Sequence, residues 1–434
     1  MDNIHDKSTQ SCRSNFKRKF IAAIGKSILE GRIIGMVITK DQFESYRDEV
    51  ISIRRDIHAH PELGFQEKRT AKLVEDYLAE CGIQTQRVAK TGVVGLLHGS
   101  RPGRTLLLRA DMDALPIREE TGLPFASQNS GVMHACGHDG HTAILLVAAK
   151  ILAGMKDQLA GTVKFVFQPN EEIDGASYMV KEPGVLNDPP VDSSFALHLW
   201  SPIPSGKIGL QSGAVMAEMY IFKIKIIGRS GHSSTPQDCK DPILCACTVV
   251  QNLQSIQTRE ISALDPTNII VGKMAAGTAA NIIPDIAEIE GSMRYLYDGS
   301  DDSPQHPRKR FERLVAGICA AYGMDYELEF IPSNYTVIND EASVAFLKNQ
   351  VLSHFADSTD IIPYHCMGGE DFSEFTNHNG IPGALVFVGT GNPSAGSDKP
   401  HHNAKFTIDE DTLLTGVKLH VFTALEYLSL KDEE

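Results

Sequence analysis

Two hydrophobic patterns divide the chain. Between residues 221 and 227, apolar Phe222, Ile224 and Ile226 alternate with Lys223 and Lys225, the period of a strand with one buried face and one wet face. Residues 142–152 are instead apolar on nearly every side, which predicts a helix buried all round. Short apolar runs at 104–110, 162–168, 194–199 and 384–388 predict buried strands, and helices are expected over 43–58, 67–81 and 409–428. Pro61 stops the first of these helices, and Gly82 suits the end of the second. Strands alternating with helices imply an α/β layered domain with a largely parallel sheet.

The middle of the chain reads differently. After the alternating strand come a helix over 242–258, strands near 268–274 and 286–296, a helix over 307–322 and a strand over 326–331. That order, β-α-β-β-α-β, is the split-βαβ motif on an antiparallel sheet. The expected fold class is therefore α/β: a largely parallel-sheet domain over 45–215 and 333–434, with a ferredoxin-like α+β domain inserted at 216–332. At 434 residues the chain is long enough for two cores. Residues 20–39 are fairly apolar but interrupted by Lys26, Glu30 and Arg32, which suits neither a membrane span nor a signal core. Residues 1–44 are expected to form a poorly ordered extension, or a basic amphipathic helix through Lys17, Arg18, Lys19, Lys26 and Arg32.

Charge and cysteine usage narrow the function classes. The 41 basic and 55 acidic residues give a net charge of −14, which argues against a nucleic-acid partner. No membrane partner is expected either. The eight cysteines include no CxxC pair, so free thiols in a reducing, cytoplasmic setting are expected.

The candidate chemistry gathers where predicted strands end. Asp111 and Asp113 follow one, Glu171 and Glu172 a second, His198 a third, and His401 and His402 lie in the loop after a fourth. Open α/β sheets bind ligands beyond such carboxyl ends. Cys136 and His138 just precede the buried helix, and in extended backbone residues two apart point the same way. Adjacent Glu171 and Glu172 would face opposite ways, one toward a metal and the other toward a water. Thiol, imidazole and carboxylate groups together suit a metal-activated hydrolase. His58 and His60 are read instead as favourable charge at a helix C-terminus.

The stretches 54–67 (RRDIHAHPELGFQE), 109–116 (RADMDALP), 133–142 (MHACGHDGHT), 167–172 (FQPNEE), Leu197-His198, Gly231-His232, 281–284 (NIIP), 368–372 (GGEDF) and 402–406 (HNAKF) run in one order over roughly 45–430. Together they resemble the M20 family of metallopeptidases and amidohydrolases, in the aminoacylase-like branch of hippurate, N-acyl amino acid and auxin-conjugate hydrolases. The resemblance implies two divalent metal ions, manganese or zinc, held by Cys136, His138, Glu172, His198 and His402, with Glu171 as general base. It implies that the larger domain is catalytic and the insert a lid or dimerisation domain, that Asp113 orients a metal ligand, that His232 reaches the oxyanion across a homodimer or higher oligomer, and that Asn281 and Arg294 contact the substrate. The implied reaction is hydrolysis of a small N-acyl amino acid. Asn170, Ala196, His401 and Ala404 depart from the family pattern, and His401 is a potential competitor of the ligand His402. The alternatives are an amidase using Cys136 as nucleophile with His138 or His141, a metallo-dipeptidase or carboxypeptidase of the same family, and a metal-binding protein without turnover.

Overall fold

Strand pairing in the larger unit is parallel at its centre and again at one edge. The computed structural model describes residues 38–297, 306–355 and 359–430, and the expectations for residues 1–37 lie outside them. One compact unit comprises the described residues before Ala214, Asn339–Tyr364, and those from Glu374 onward; the other comprises Ala214–Ile338 and His365–Ser373. The expected insertion at 216–332 falls inside the second unit, which also takes in a later segment carrying Glu370 and Asp371. The last residues of the expected extension belong to the first unit, where the helix Lys40–Glu44, capped by Thr39, buries Phe43.

The first unit is built on an eight-stranded sheet, in the order Gln84–Val88, Gly92–His98, Ala160–Gln168, Arg101–Asp111, Ser193–Pro204, Gly383–Gly391, Lys207–Gly209 and Asp360–Ile362. The four central strands pair in parallel, and antiparallel pairs flank them on each side. The helix His138–Gly154 is buried at every position from His138 to Ala149, as its all-round apolar character demands. It packs on the C-terminal helix Leu413–Ser429, where a Cβ on Gly416 would lie 2.6 Å from Ile144 Cδ1. Only a glycine lets those two helices approach so closely. Within Ala160–Gln168, the fully buried Lys164 directs its ammonium to the carbonyls of Gly184, Val185, Asp188 and Pro189 at 2.7–3.2 Å. A cation out of water is tolerable only when so fully solvated by protein oxygens.

The second unit carries a four-stranded antiparallel sheet, ordered Thr267–Ala276, Ile286–Tyr295, Glu218–Ile227 and Asp325–Asn334. Its core joins Phe222, Ile224 and Ile226 to residues of the helices Pro242–Ser255 and Pro307–Tyr322. The alternation seen in the sequence thus decides which face receives the helices.

Lys164→Met should lower stability by about 3 kcal/mol, because it leaves several buried carbonyls without a donor. A denaturant titration would read this as a lower midpoint. An unchanged midpoint would show that the ammonium contributes nothing net.

Candidate metal centre

Gly137 adopts φ +99 and caps the helix His138–Gly154. Cys136 and His138 therefore do not sit in one extended segment, and a left-handed glycine turns both side chains to a common point. Their ligand atoms lie with that of His198 within 4.8 Å of one another. Two further groups, Cys136–Glu172–His402 and His138–Glu171–Glu172, are equally tight. The structure thus brings Cys136, His138, Glu171, Glu172, His198 and His402 into one cluster.

The expected geometry of the glutamates is corrected. Glu171 and Glu172 lie in a single-turn 3₁₀ helix, Glu171–Ile173, between left-handed Asn170 (φ +54) and Asp174 (φ +60). Both carboxylates thereby enter the same cluster rather than facing apart. His198 is corrected too, since it does not end its strand, which continues to Pro204. Pairing with Arg101–Asp111 stops at Ala196, and beyond that point the strand is free to present His198.

Hydrogen bonds fix the imidazole tautomers. His138 Nδ1 donates to the Asp113 carbonyl at 2.9 Å, and its buried Nε2 makes no hydrogen bond. His198 Nδ1 donates to the Leu199 carbonyl at 2.9 Å, and its Nε2 lies 3.7 Å from Cys136 Sγ. In both rings the far nitrogen faces the cluster, where the neutral ring would offer a lone pair, as metal ligation requires. His402, left-handed at φ +63, is held by its N–H to the Ala135 carbonyl, and its Nε2 lies 3.2 Å from Glu172 Oε1. Asp113 accepts the backbone N–H groups of Glu171 and Glu172 at 3.0 and 3.1 Å, and so orients the glutamate turn as well as His138.

His401 does not compete with His402. Its Nε2 donates to the Leu199 carbonyl at 3.0 Å, and its ring stacks on Trp200 at 4.3 Å. His141 is also committed, with Nδ1 donating to Asp111 at 2.6 Å and Nε2 accepting the Leu199 N–H at 2.8 Å. It has no nitrogen left to deprotonate a Cys136 nucleophile. Asp111 is further paired with buried Arg109 at 2.7 Å. His58 is not a helix-end charge in water. It is fully buried, with Nδ1 2.8 Å from Asp139 and Nε2 3.3 Å from Glu119, beside the Arg54–Asp139 ion pair at 2.7 Å. No local signal in the sequence reveals that network, because its members come from three separate segments.

The electrostatics call for added positive charge. Burial, then Glu172 and Glu171, push the Cys136 thiol well above its ordinary range. Burial opposes the charged form of His138, yet Asp111 and Asp113 outweigh it and push that imidazole up to about 10. Carboxylates so concentrated and so dry favour any cation that reaches them. A thiolate, two bare imidazole nitrogens and carboxylate oxygens suit zinc or manganese.

In the second unit, His232 and Asn281 are exposed neighbours. His232 pairs with Ile282 across a two-residue ladder, and the Asn281 carbonyl accepts the Ser233 N–H at 3.1 Å. His232 Nδ1 accepts the Ser234 N–H at 3.1 Å, which in the neutral ring leaves the proton on Nε2. Arg294 is half-buried on the strand Ile286–Tyr295, donates to the Met367 carbonyl at 3.1 Å and makes no ion pair among the described residues.

Relatives agree with this picture. The model of peptidase family M20/M25/M40 matches residues 107–426. The chain is 39% identical over 396 residues to thermostable carboxypeptidase 1 of Saccharolobus solfataricus, covering 89% of this chain and 98% of that protein. It is 44% identical over 310 residues to an N-acyl-L-amino acid amidohydrolase of Geobacillus stearothermophilus, covering 70% and 82%. Among solved structures it resembles a dinuclear metal binding peptidase of the M20 family from Bacillus subtilis, with a TM-score of 0.76 and 34% identity over 89% of this chain and all of that one. No described helix is long and apolar enough to cross a membrane. Since the family model spans most of the chain and takes in every residue of the cluster, the chain belongs to peptidase family M20/M25/M40 and is a metal-dependent hydrolase.

Proposed function

We propose that the protein hydrolyses the amide bond of N-acyl amino acids to a carboxylate and a free amino acid, using two divalent cations, manganese or zinc, held by Cys136, His138, Glu172, His198 and His402. The observation that carries this reading is that those five donors and a sixth group, Glu171, form three overlapping triads that share Cys136, His138 and Glu172, each with its ligand atoms within 4.8 Å of one another. When bound, the cations would supply Lewis acidity, lowering a water's pKa and polarising the amide carbonyl. Glu171 takes the proton from the attacking water and passes it to the leaving nitrogen. Asp113 holds that base in place through two backbone N–H groups. His232, whose Nε2 carries a proton free to donate, would stabilise the oxyanion, and Asn281 would hold the tetrahedral centre. Arg294, half-buried and without an acidic partner among the described residues, would take the α-carboxylate of the amino acid.

The carboxypeptidase name of one relative fits the same chemistry, because a peptide's C-terminal residue is also an N-acyl amino acid. The free edge of Thr267–Ala276, with Ile270 and Met274 exposed on it, supports a homodimer through the second unit. The free cysteines among the described residues are in keeping with a cytoplasmic protein.

Glu171→Gln should bind metal normally and lose about 10³-fold in kcat. Near-normal turnover in that variant would remove Glu171 as the base. Exhaustive chelation should abolish activity, with recovery on adding Mn²⁺ or Zn²⁺; full activity in metal-free protein would return Cys136 to consideration as nucleophile. In a panel of acetyl, benzoyl and peptidyl substrates, converting the α-carboxylate to its amide should cost about 100-fold in kcat/KM in the wild type, and far less in Arg294→Ala. Equal cleavage of both forms by the wild type would exclude an amino-acid carboxylate as the anchor.

A further inference from the structure

The conspicuous stretch His60-Pro61-Glu62-Leu63-Gly64-Phe65-Gln66-Glu67 supplies no group to the metal cluster, yet it touches both carboxylate-bearing turns. The Glu62 carbonyl accepts the N–H of Ala114 at 2.9 Å, directly after Asp113, and Leu63 bridges to Ala114. Gly64 lies flat against Asn170, where an added Cβ would sit 1.9, 2.7 and 2.9 Å from three atoms of that side chain. Glu67, fully buried, accepts the Asn170 N–H at 2.9 Å and the Thr91 hydroxyl at 2.5 Å. Three consecutive N–H groups, of Asn170, Glu171 and Glu172, are therefore each donated to a carboxylate oxygen, the first to Glu67 and the next two to Asp113.

Asn170 is the pivot of this arrangement. Its left-handed backbone (φ +54, ψ 42) starts the single turn that swings Glu171 and Glu172 into the cluster. Asparagine tolerates that conformation better than most residues with a side chain. Its side-chain amide donates to the Ile173 carbonyl at 3.0 Å. The turn closes behind it, with the Gly175 N–H on the Asn170 carbonyl at 2.8 Å. A left-handed residue in a buried turn holds its conformation only when its surroundings over-determine it, and Gly64 and Glu67 are those surroundings.

The structure assigns residues Glu62–Glu67 as a brace that positions the general base: Gly64 and Glu67 act through Asn170 to hold the Glu171–Glu172 turn on the metal cluster. Glu67 and Gly64 are positioning residues and touch neither substrate nor cation. The assignment rests on Glu171 being the base, and its consequences separate from that reading. A displaced base costs turnover steeply while substrate binding through other groups survives.

The test is a double-mutant cycle in the metal-loaded enzyme, read by kcat, KM, bound metal and thermal midpoint. Gly64→Ala should lower kcat about 100-fold with KM changed by less than about 3-fold. In an Asn170→Gly background, which removes all three clashing atoms and keeps the left-handed turn accessible, the same substitution should cost less than about 3-fold. Glu67→Ala should lower kcat about 30-fold, whereas Glu67→Gln, which still accepts the Asn170 N–H, should recover most of it. Equal Gly64→Ala penalties in both backgrounds would overturn the brace, as would unchanged kcat in Glu67→Ala, or Gln no better than Ala at 67. If Gly64→Ala proves too unstable to assay, the Glu67 pair decides alone. An inactive Glu171→Gln beside wild-type-like Gly64→Ala and Glu67→Ala would reject the brace and keep the base; an active Glu171→Gln would reject the base itself.

Discussion

Everything at the functional end of the larger unit depends on how dry like charges are kept together. Buried Asp111 and Asp113 and the partly exposed Glu171 and Glu172 gather around the buried Cys136 thiol and the buried His138 and His198 imidazoles. Carboxylates that close out of water repel one another strongly unless cations or hydrogen-bond donors compensate. Part of the compensation is built in. Arg109 neutralises Asp111, His141 is tied between Asp111 and the Leu199 N–H, and backbone N–H groups quiet Asp113. What is left unsatisfied, His138 Nε2 among it, faces the place that divalent cations suit.

The same constraint explains the local backbone. Bringing two adjacent glutamates to one point needs a turn that extended chain does not provide, and left-handed Asn170 and Asp174 supply it. Presenting Cys136 and His138 together needs Gly137 in a region open to glycine. His402 is itself left-handed. Such conformations are unfavourable in isolation and persist because dense packing and committed hydrogen bonds surround them. The long buried helix His138–Gly154 serves as the anchor, since a segment apolar on every side can settle only in the middle of the layered core.

Candidate donors were legible from sequence, because thiol, imidazole and carboxylate types recur where apolar runs end, and it was the resemblance to the M20 family that singled out five of them. Their directions were not. Alternation rules apply to extended chain: they misplaced the Glu171–Glu172 pair, which sits in a 3₁₀ turn, and they brought Cys136 and His138 together for the wrong reason, since a left-handed glycine at a helix start does so. His198 looked like a strand terminus because its apolar run stops, although the strand continues to Pro204. The buried His58–Asp139–Arg54 set and the contact of Glu67 with Asn170 join residues far apart in the chain. No window of sequence contains both partners.

The sequence by itself determined the class of fold, the two kinds of sheet and the chemical types available for catalysis, since periodicity and residue identity are local properties of the chain. Only the tertiary structure decided which nitrogen of each imidazole is free, which carboxylates share a point and which conserve the turn that carries them. Those outcomes depend on distances of a few ångströms between segments about a hundred residues apart, set by close packing of the core.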